Sequence, residues 1–180
     1  MRDPFLVGQK IYLRTIDEND LNEEYQSWLN DEEVCHFNSH HRFPNYKENM
    51  LDYYSNIIKT KNNIILAVID KKNEKHIGNI ALQEINYIDR SAELAIIIGN
   101  KDYWGKGIGE EAGQLIVTHG FKTMNLHRIY CGTSKENIGM QKLASKLGFK
   151  QEGISRDALF KNGHFQDVVN YSLLENEYQK

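Results

Sequence analysis

Tyr103-Trp104-Gly105-Lys106-Gly107-Ile108-Gly109-Glu110-Glu111 is the stretch from which the rest of the chain is read. Three alternating glycines let the backbone turn tightly and bring successive N–H groups close to a ligand, because no Cβ intervenes. Apolar residues follow at Ile108, Ala112, Leu115 and Ile116, with His119 beyond, and this spacing predicts a helix with one buried face. The first turn of such a helix has N–H groups without intrahelical acceptors and carries the positive end of the macrodipole. An anion, best a phosphate or pyrophosphate, is its natural occupant. A triphosphate loop would need Lys then Ser or Thr after the last glycine. Glu110 and Glu111 stand there instead and would repel a triphosphate. A dinucleotide fold would need the glycines directly after the first strand of a βαβ unit, whereas an antiparallel pattern precedes them.

That pattern is Ile77 to Tyr87, the turn Ile88-Asp89-Arg90, and Ser91 to Ile98. Within it Gly78 implies a bulge or a close packing contact. Ala92 to Ile98 is apolar on both faces except at Glu93, which marks a central strand. Upstream, Ile11 to Thr15 reads as a first strand. Asp17 with Asp20 offers a helix start, placing Leu21, Tyr25, Trp28 and Leu29 on one face. Asn45 to Glu48 resembles a capping box opening a helix through Met50, Leu51, Tyr54 and Ile58, and Ile64 to Asp70 is a second strand. Downstream, Arg128 to Thr133 is a strand and Asn137 to Gly148 a short helix. Lys150 to Ile154 and then Ala158 to Phe160 make a strand, turned by the hairpin signal Asn162-Gly163 into Val168 to Leu174.

A chain of 180 residues fits one domain, 1–180. The net charge of −3, from 25 acidic and 22 basic side chains, gives no electrostatic footprint for nucleic acid and mildly favours a cationic substrate. Cys35 and Cys131 are too few for a disulfide framework and lack metal-ligand spacing. No apolar run suits a signal peptide or a membrane span, so the cytoplasm is the expected compartment. Between Asn30 and Pro44 periodicity vanishes, and His36 to Phe43 mixes aromatic, imidazole and guanidinium groups suited to substrate selection. His40 and His41 point oppositely if the backbone is extended, so no metal site is expected.

Taken with Asn137 to Phe149, these features resemble the GNAT superfamily of acetyl-coenzyme A-dependent N-acetyltransferases over nearly the whole chain. Asn86 to Leu94, the Trp-Gly-Lys-Gly turn, Asn125-Leu126-His127-Arg128 and Leu147-Gly148-Phe149 look like the branch of ribosomal-protein N-terminal and spermidine/spermine acetyltransferases. Sugar-nucleotide amine acetyltransferases share much of the pattern. The resemblance implies an α+β fold with a central mixed, mostly antiparallel twisted sheet of about seven strands and helices on both faces. It implies acetyl-CoA as co-substrate, no metal, and an amine acceptor; a homodimer or higher homo-oligomer is compatible with it.

By the same resemblance, backbone N–H groups of Trp104, Gly105, Lys106, Gly107, Ile108, Gly109 and Glu110 hold the pyrophosphate. Ile96, Ile97 and Ile98 meet the pantetheine arm where their strand splays from the next, with an N–H near Ile96 in the oxyanion-hole role. Asn137 contacts the arm or simply caps its helix, and Lys142 reaches the phosphates or is merely solvated. Glu93 is the general base, direct or through a water; a structural ion pair with Arg90 or Arg128 is its alternative. Trp28 borders the acceptor pocket or anchors the core, and His40 and Arg42 are read as acceptor contacts. Two departures stand out. Ala144 replaces a tyrosine and Met140 a serine that serve relatives as proton donors, leaving Ser145, Ser134 and Cys131 as residual candidates. The acceptor expected is a small-molecule amine, an amino-sugar nucleotide or a polyamine. The rivals are the N-terminus of a protein such as a ribosomal protein and, in another class, a non-catalytic acetyl-CoA sensor.

Overall fold

The computed structural model describes residues 1–57 and 59–178. Eight strands form one open sheet: β1 (Leu6–Val7), β2 (Ile11–Thr15), β3 (Ile64–Asp70), β4 (His76–Asn86), β5 (Ser91–Ile97), β6 (Arg128–Ser134), β7 (Lys150–Lys161) and β8 (His164–Leu174). Their spatial order is β1-β2-β3-β4-β5-β6-β8-β7. Every pair is antiparallel except β5 with β6. Among the described residues there are four α-helices, α1 (Glu23–Asn30), α2 (Lys47–Ile57), α3 (Ile108–Lys122) and α4 (Ile138–Lys146), beside short 3-10 turns.

The period of two along each strand divides the core between the faces. Ile11, Leu13, Leu66, Val68, Ile80 and Leu82 point one way and are buried with Ala112, Ile116, Val117 and Phe121 of α3. On the other face Leu21, Tyr25, Trp28, Leu29 and Met50 pack together with Ile97. Helices on both faces of a mixed, mostly antiparallel sheet are the α+β arrangement expected.

Four local expectations change. An eighth strand, β1, pairs with β2 through two residues only, too few to show a period in the sequence. Asp17 and Asp20 open a separate 3-10 turn, Glu18–Asp20, closed by a reciprocal capping box, and α1 starts later with Asn22 as its cap. Asp20 is buried there because Arg14 meets both its oxygens, at 2.6 and 2.7 Å. Asn45 donates through its side-chain amide to Leu29 O and His40 O, both at 2.9 Å, so it pins the preceding loop. Finally β7 runs unbroken, with a register shift between Ser155 and Leu159 where the sequence suggested a gap. Ile58, expected on the α2 face, lies outside the described residues.

Candidate active site

The glycine turn is shaped as its sequence demands. Gly105 (φ 72°) and Gly107 (φ 80°) are left-handed, a region that costs any residue with a Cβ. Gly107 is the N-cap of α3 and supplies no side-chain cap. Among the described residues, no protein acceptor is recorded for the N–H groups of Gly105, Lys106, Gly107, Ile108 and Gly109. A Cβ on Gly105 would meet nothing within 4 Å, and one on Gly107 only Lys10 Nζ at 4.0 Å. The turn is therefore an open concavity of donors, which suits a pyrophosphate. Neither glutamate of the first helical turn spoils it. Glu111 accepts from the backbone N–H groups of Lys10 (2.8 Å) and Ile11 (3.3 Å), and Glu110 pairs with Lys146 on α4 at 2.8 Å. Lys10, which the sequence did not single out, donates from Nζ to Lys106 O at 3.1 Å and brings a cation to the turn.

From this turn a gap runs down the sheet. Strands β5 and β6 pair only at Ser91 with Arg128, Ala92 with Ile129, and Glu93 with Tyr130, although both continue beyond. Gly99 N–H donates to Ile77 O on β4, whereas Arg90 O accepts from Arg128 N–H on β6. By strict alternation the odd-numbered peptide groups of β5 face β4, and the even ones, Leu94 and Ile96, face the gap. Ile96 thus presents its N–H as expected, while Ile97 belongs to the ladder with β4. The carbonyl of Ile98 is taken by the Trp104 indole, whose Nε1 donates to it at 2.7 Å.

Glu93 stands at the closed end of the gap, half-buried, on the face shared with α1 and α2. Neither arginine proposed as its ion-pair partner reaches it. Arg90 bonds Asn125 and Glu175, and Arg128 makes two 2.6 Å bonds to Glu152. Instead Gln83, directly opposite on β4, donates Nε2 to Glu93 Oε2 at 2.8 Å, which fixes the carboxylate through a neutral donor. Gln83 is the second residue the sequence reading missed.

Asn137 caps α4: its Oδ1 accepts from Met140 N–H at 3.0 Å, and its Nδ2 donates to Thr133 Oγ1 at 3.0 Å. Lys142 is exposed. The three residual proton donors are poorly placed for that work. Ser134 is 1% exposed and donates to Gln166 at 2.7 Å while accepting from Glu136 N–H. Burial, reinforced by the charge of Glu93, pushes the Cys131 thiol up to about 12. Ser145 faces solvent. Replacing each in turn with Ala is expected to cost less than about tenfold in kcat, below the usual general-acid contribution; initial rates of thiol release check this. Ala144 has no exposed surface and belongs to the core beneath α4. A tyrosine there, expected from sequence to help if the site has room, would overpack the core at a cost of about 1–3 kcal/mol or more. Ala144→Tyr should therefore lower Tm rather than raise turnover, as a melting curve beside the rate would show.

The acceptor residues do not converge. Trp28 is 5% exposed, its ring edge-on to Tyr25 and His76, and a Cβ on Gly99 would overlap it. It is a core anchor at the end of β5. His40 and Arg42 are exposed in a short 3-10 turn, with Arg42 Nη2 donating to Phe160 O at 3.1 Å. Lys161 Nζ donates to Asn38 O at 3.0 Å, so the loop is fastened to the β7–β8 hairpin.

A donor-lined turn at a helix N-terminus, opening onto a gap in the sheet's one parallel pair, defines a class of fold that can hold an anion at one end of a cleft and extended chain along it. Residues 10–150 match the model of the acetyltransferase (GNAT) domain, and the chain belongs to that family. It is 35% identical to the spermidine N(1)-acetyltransferase of Escherichia coli K12 over 101 residues, 56% of this chain and 54% of that one. It is 33% identical to the putative ribosomal N-acetyltransferase YdaF of Bacillus subtilis over 102 residues, 57% and 55% of the two chains. The match thus spans about half the length of these relatives. Among solved structures, that of spermidine N-acetyltransferase from Vibrio cholerae in complex with CoA and spermine superposes with a TM-score of 0.85 at 29% identity, covering 94% of this chain and 98% of that one.

Proposed function

We propose that this chain transfers an acetyl group from acetyl-CoA to the primary amine of a small molecule. The observation that carries the reading is the Glu93 carboxylate, oriented by Gln83 and joined to no arginine, at the closed end of a strand gap whose other end is the glycine turn. Acetyl-CoA supplies an activated carbonyl carbon bound to sulfur. The amine nitrogen attacks that carbon; the C–N bond forms, and the C–S bond breaks with its electron pair leaving on the thiolate. Glu93 takes the proton that nitrogen sheds, directly or through a water. The Ile96 N–H, facing the gap, stabilises charge on the carbonyl oxygen. A thiol near pKa 8.5 leaves adequately as thiolate at neutral pH, which fits a chain whose candidate donors are bonded elsewhere (Ser134), buried with a raised pKa (Cys131) or turned to solvent (Ser145).

The turn from Gly105 to Gly109 holds the pyrophosphate, the Trp104 N–H being taken by Lys101 O at 3.0 Å, and Asn137, after capping α4 and bonding Thr133, keeps one amide N–H for the pantetheine arm. Lys142, exposed on α4, reaches the carrier phosphates. A polyamine and an amino-sugar nucleotide are the acceptors the resemblance puts forward, and the spermidine enzymes support the first by name. The putative ribosomal relative supports a second reading, acetylation of a protein N-terminus. Thiol release from acetyl-CoA against a panel of amines tests the reading. Carrier binding without acceptor-dependent release, and without labelled product in a cell extract, would instead identify a sensor.

A further inference from the structure

A cavity of about 280 Å³ lies at the end of the sheet where β2 leaves and β3 enters, beneath α2. Tyr25, Tyr53 and Tyr54 supply ring surfaces, and Ile16, Ile57 and Ile65 are among the aliphatic residues that make most of the remaining wall. Thr60 and Asn63 are its polar edge, and Tyr53, 52% exposed, stands at its rim. None of the described residues lining it is charged. The cavity opens at the sheet's end between its two faces: Ile64 and Leu66 line it from the α3 side, and Ile65, Leu21 and Tyr25 from the face that carries Glu93. Ile65 lies opposite Ala81 and Ala81 opposite Ala95, one row from the Gln83–Glu93 pair. At the usual strand spacing, Ile65 and Ala95 are separated by about 10 Å across a floor of alanines.

We propose that this cavity seats an uncharged apolar tail of the acceptor, so that the amine acetylated is an alkyl or arylalkyl monoamine; this deepens the reading of a small-amine acetyltransferase and rests on it. A second ammonium group in the cavity would lose its hydration with no counter-ion, which is costly. Asp20, whose charge is felt at Tyr25, is already held at both oxygens by Arg14. Tyrosine faces attract a cation, but here they alternate with aliphatic side chains, and burial holds the Tyr25 phenol neutral up to about pH 12. Methylene and phenyl groups lose nothing on entering and gain by leaving water.

The test is kcat/KM for propylamine, pentylamine, heptylamine, phenethylamine and spermidine by thiol release, with acetyl-CoA affinity measured separately by calorimetry. The expected result is a rise of about fourfold per added methylene from propylamine to heptylamine, from about 0.8 kcal/mol for each CH2 removed from water. Phenethylamine should exceed spermidine. Ile57→Trp, which fills the cavity from α2, should flatten the heptylamine-to-propylamine ratio. A flat series in the unaltered protein, or spermidine turned over faster than heptylamine, overturns the inference and leaves the small-amine reading standing. No release with any amine, despite carrier binding, overturns both.

Discussion

Glu93→Gln is expected to slow acetyl transfer by about 10²- to 10⁴-fold, the usual contribution of a general base, with acetyl-CoA affinity and Tm nearly unchanged. The substitution is close to isosteric, and a glutamine carbonyl at position 93 can still accept from Gln83, so the local geometry should survive. What disappears is the group able to take a proton. The loss should shrink as pH rises and more of the amine is already unprotonated. Because Arg90 and Arg128 are satisfied by Glu175 and Glu152, no ion pair is broken and no stability penalty follows. A fall in Tm with a rate whose pH profile matches that of the unaltered protein would show that Glu93 serves the fold, and the proposed base would be wrong.

The contrast between Glu93 and the acceptor residues shows what a sequence exposes. Glu93 is legible because a lone carboxylate in an apolar central strand violates the pattern around it. Its partner was not: counting outward from Asp89, the middle of the turn Ile88-Asp89-Arg90, sets Glu93 against Ile85, and only the register shift between Gln83 and Asn86 brings Gln83 opposite it. The glycine turn announces itself for a similar reason, since only backbone chemistry is at stake and residue type dictates it. Lys10 carried no local signal, because its contact depends on how the β1–β2 turn meets α3 across the fold. His40 and Arg42 follow from chemical character and Trp28 from the family resemblance, and neither fixes the direction of a side chain. Packing turned Trp28 into the core, and Arg42 toward a hairpin more than a hundred residues away. The tyrosine cavity was hidden for the same reason: its lining comes from two helices, two strands and the loops between them.

Gly107→Val should weaken acetyl-CoA binding by about 10²-fold or more, read by calorimetry as Kd and in kinetics as KM for the carrier. The estimate follows from the number of donors displaced, since one hydrogen bond to a charged group contributes about 1.5–3 kcal/mol and a branched Cβ would hold a phosphate away from several N–H groups together. The residue's left-handed φ of 80° adds backbone strain, on the order of 1–3 kcal/mol. No protein atom obstructs the new side chain, because the only heavy atom near its Cβ is Lys10 Nζ at 4.0 Å. Strain and obstruction are separated by Gly107→Asn, as asparagine tolerates the left-handed conformation. If strain alone matters, the asparagine variant binds normally; if the turn must stay bare for the pyrophosphate, it binds poorly as well. Gly109→Val is a different experiment from the one its place in the motif suggests. A Cβ on Gly109 points at Ile96 and Leu143, both at 3.6 Å, so valine there would press on the gap between β5 and α4. Its effect should appear in kcat along with carrier affinity. Unchanged affinity in a folded Gly107→Val protein would mean that the pyrophosphate is held somewhere other than this turn.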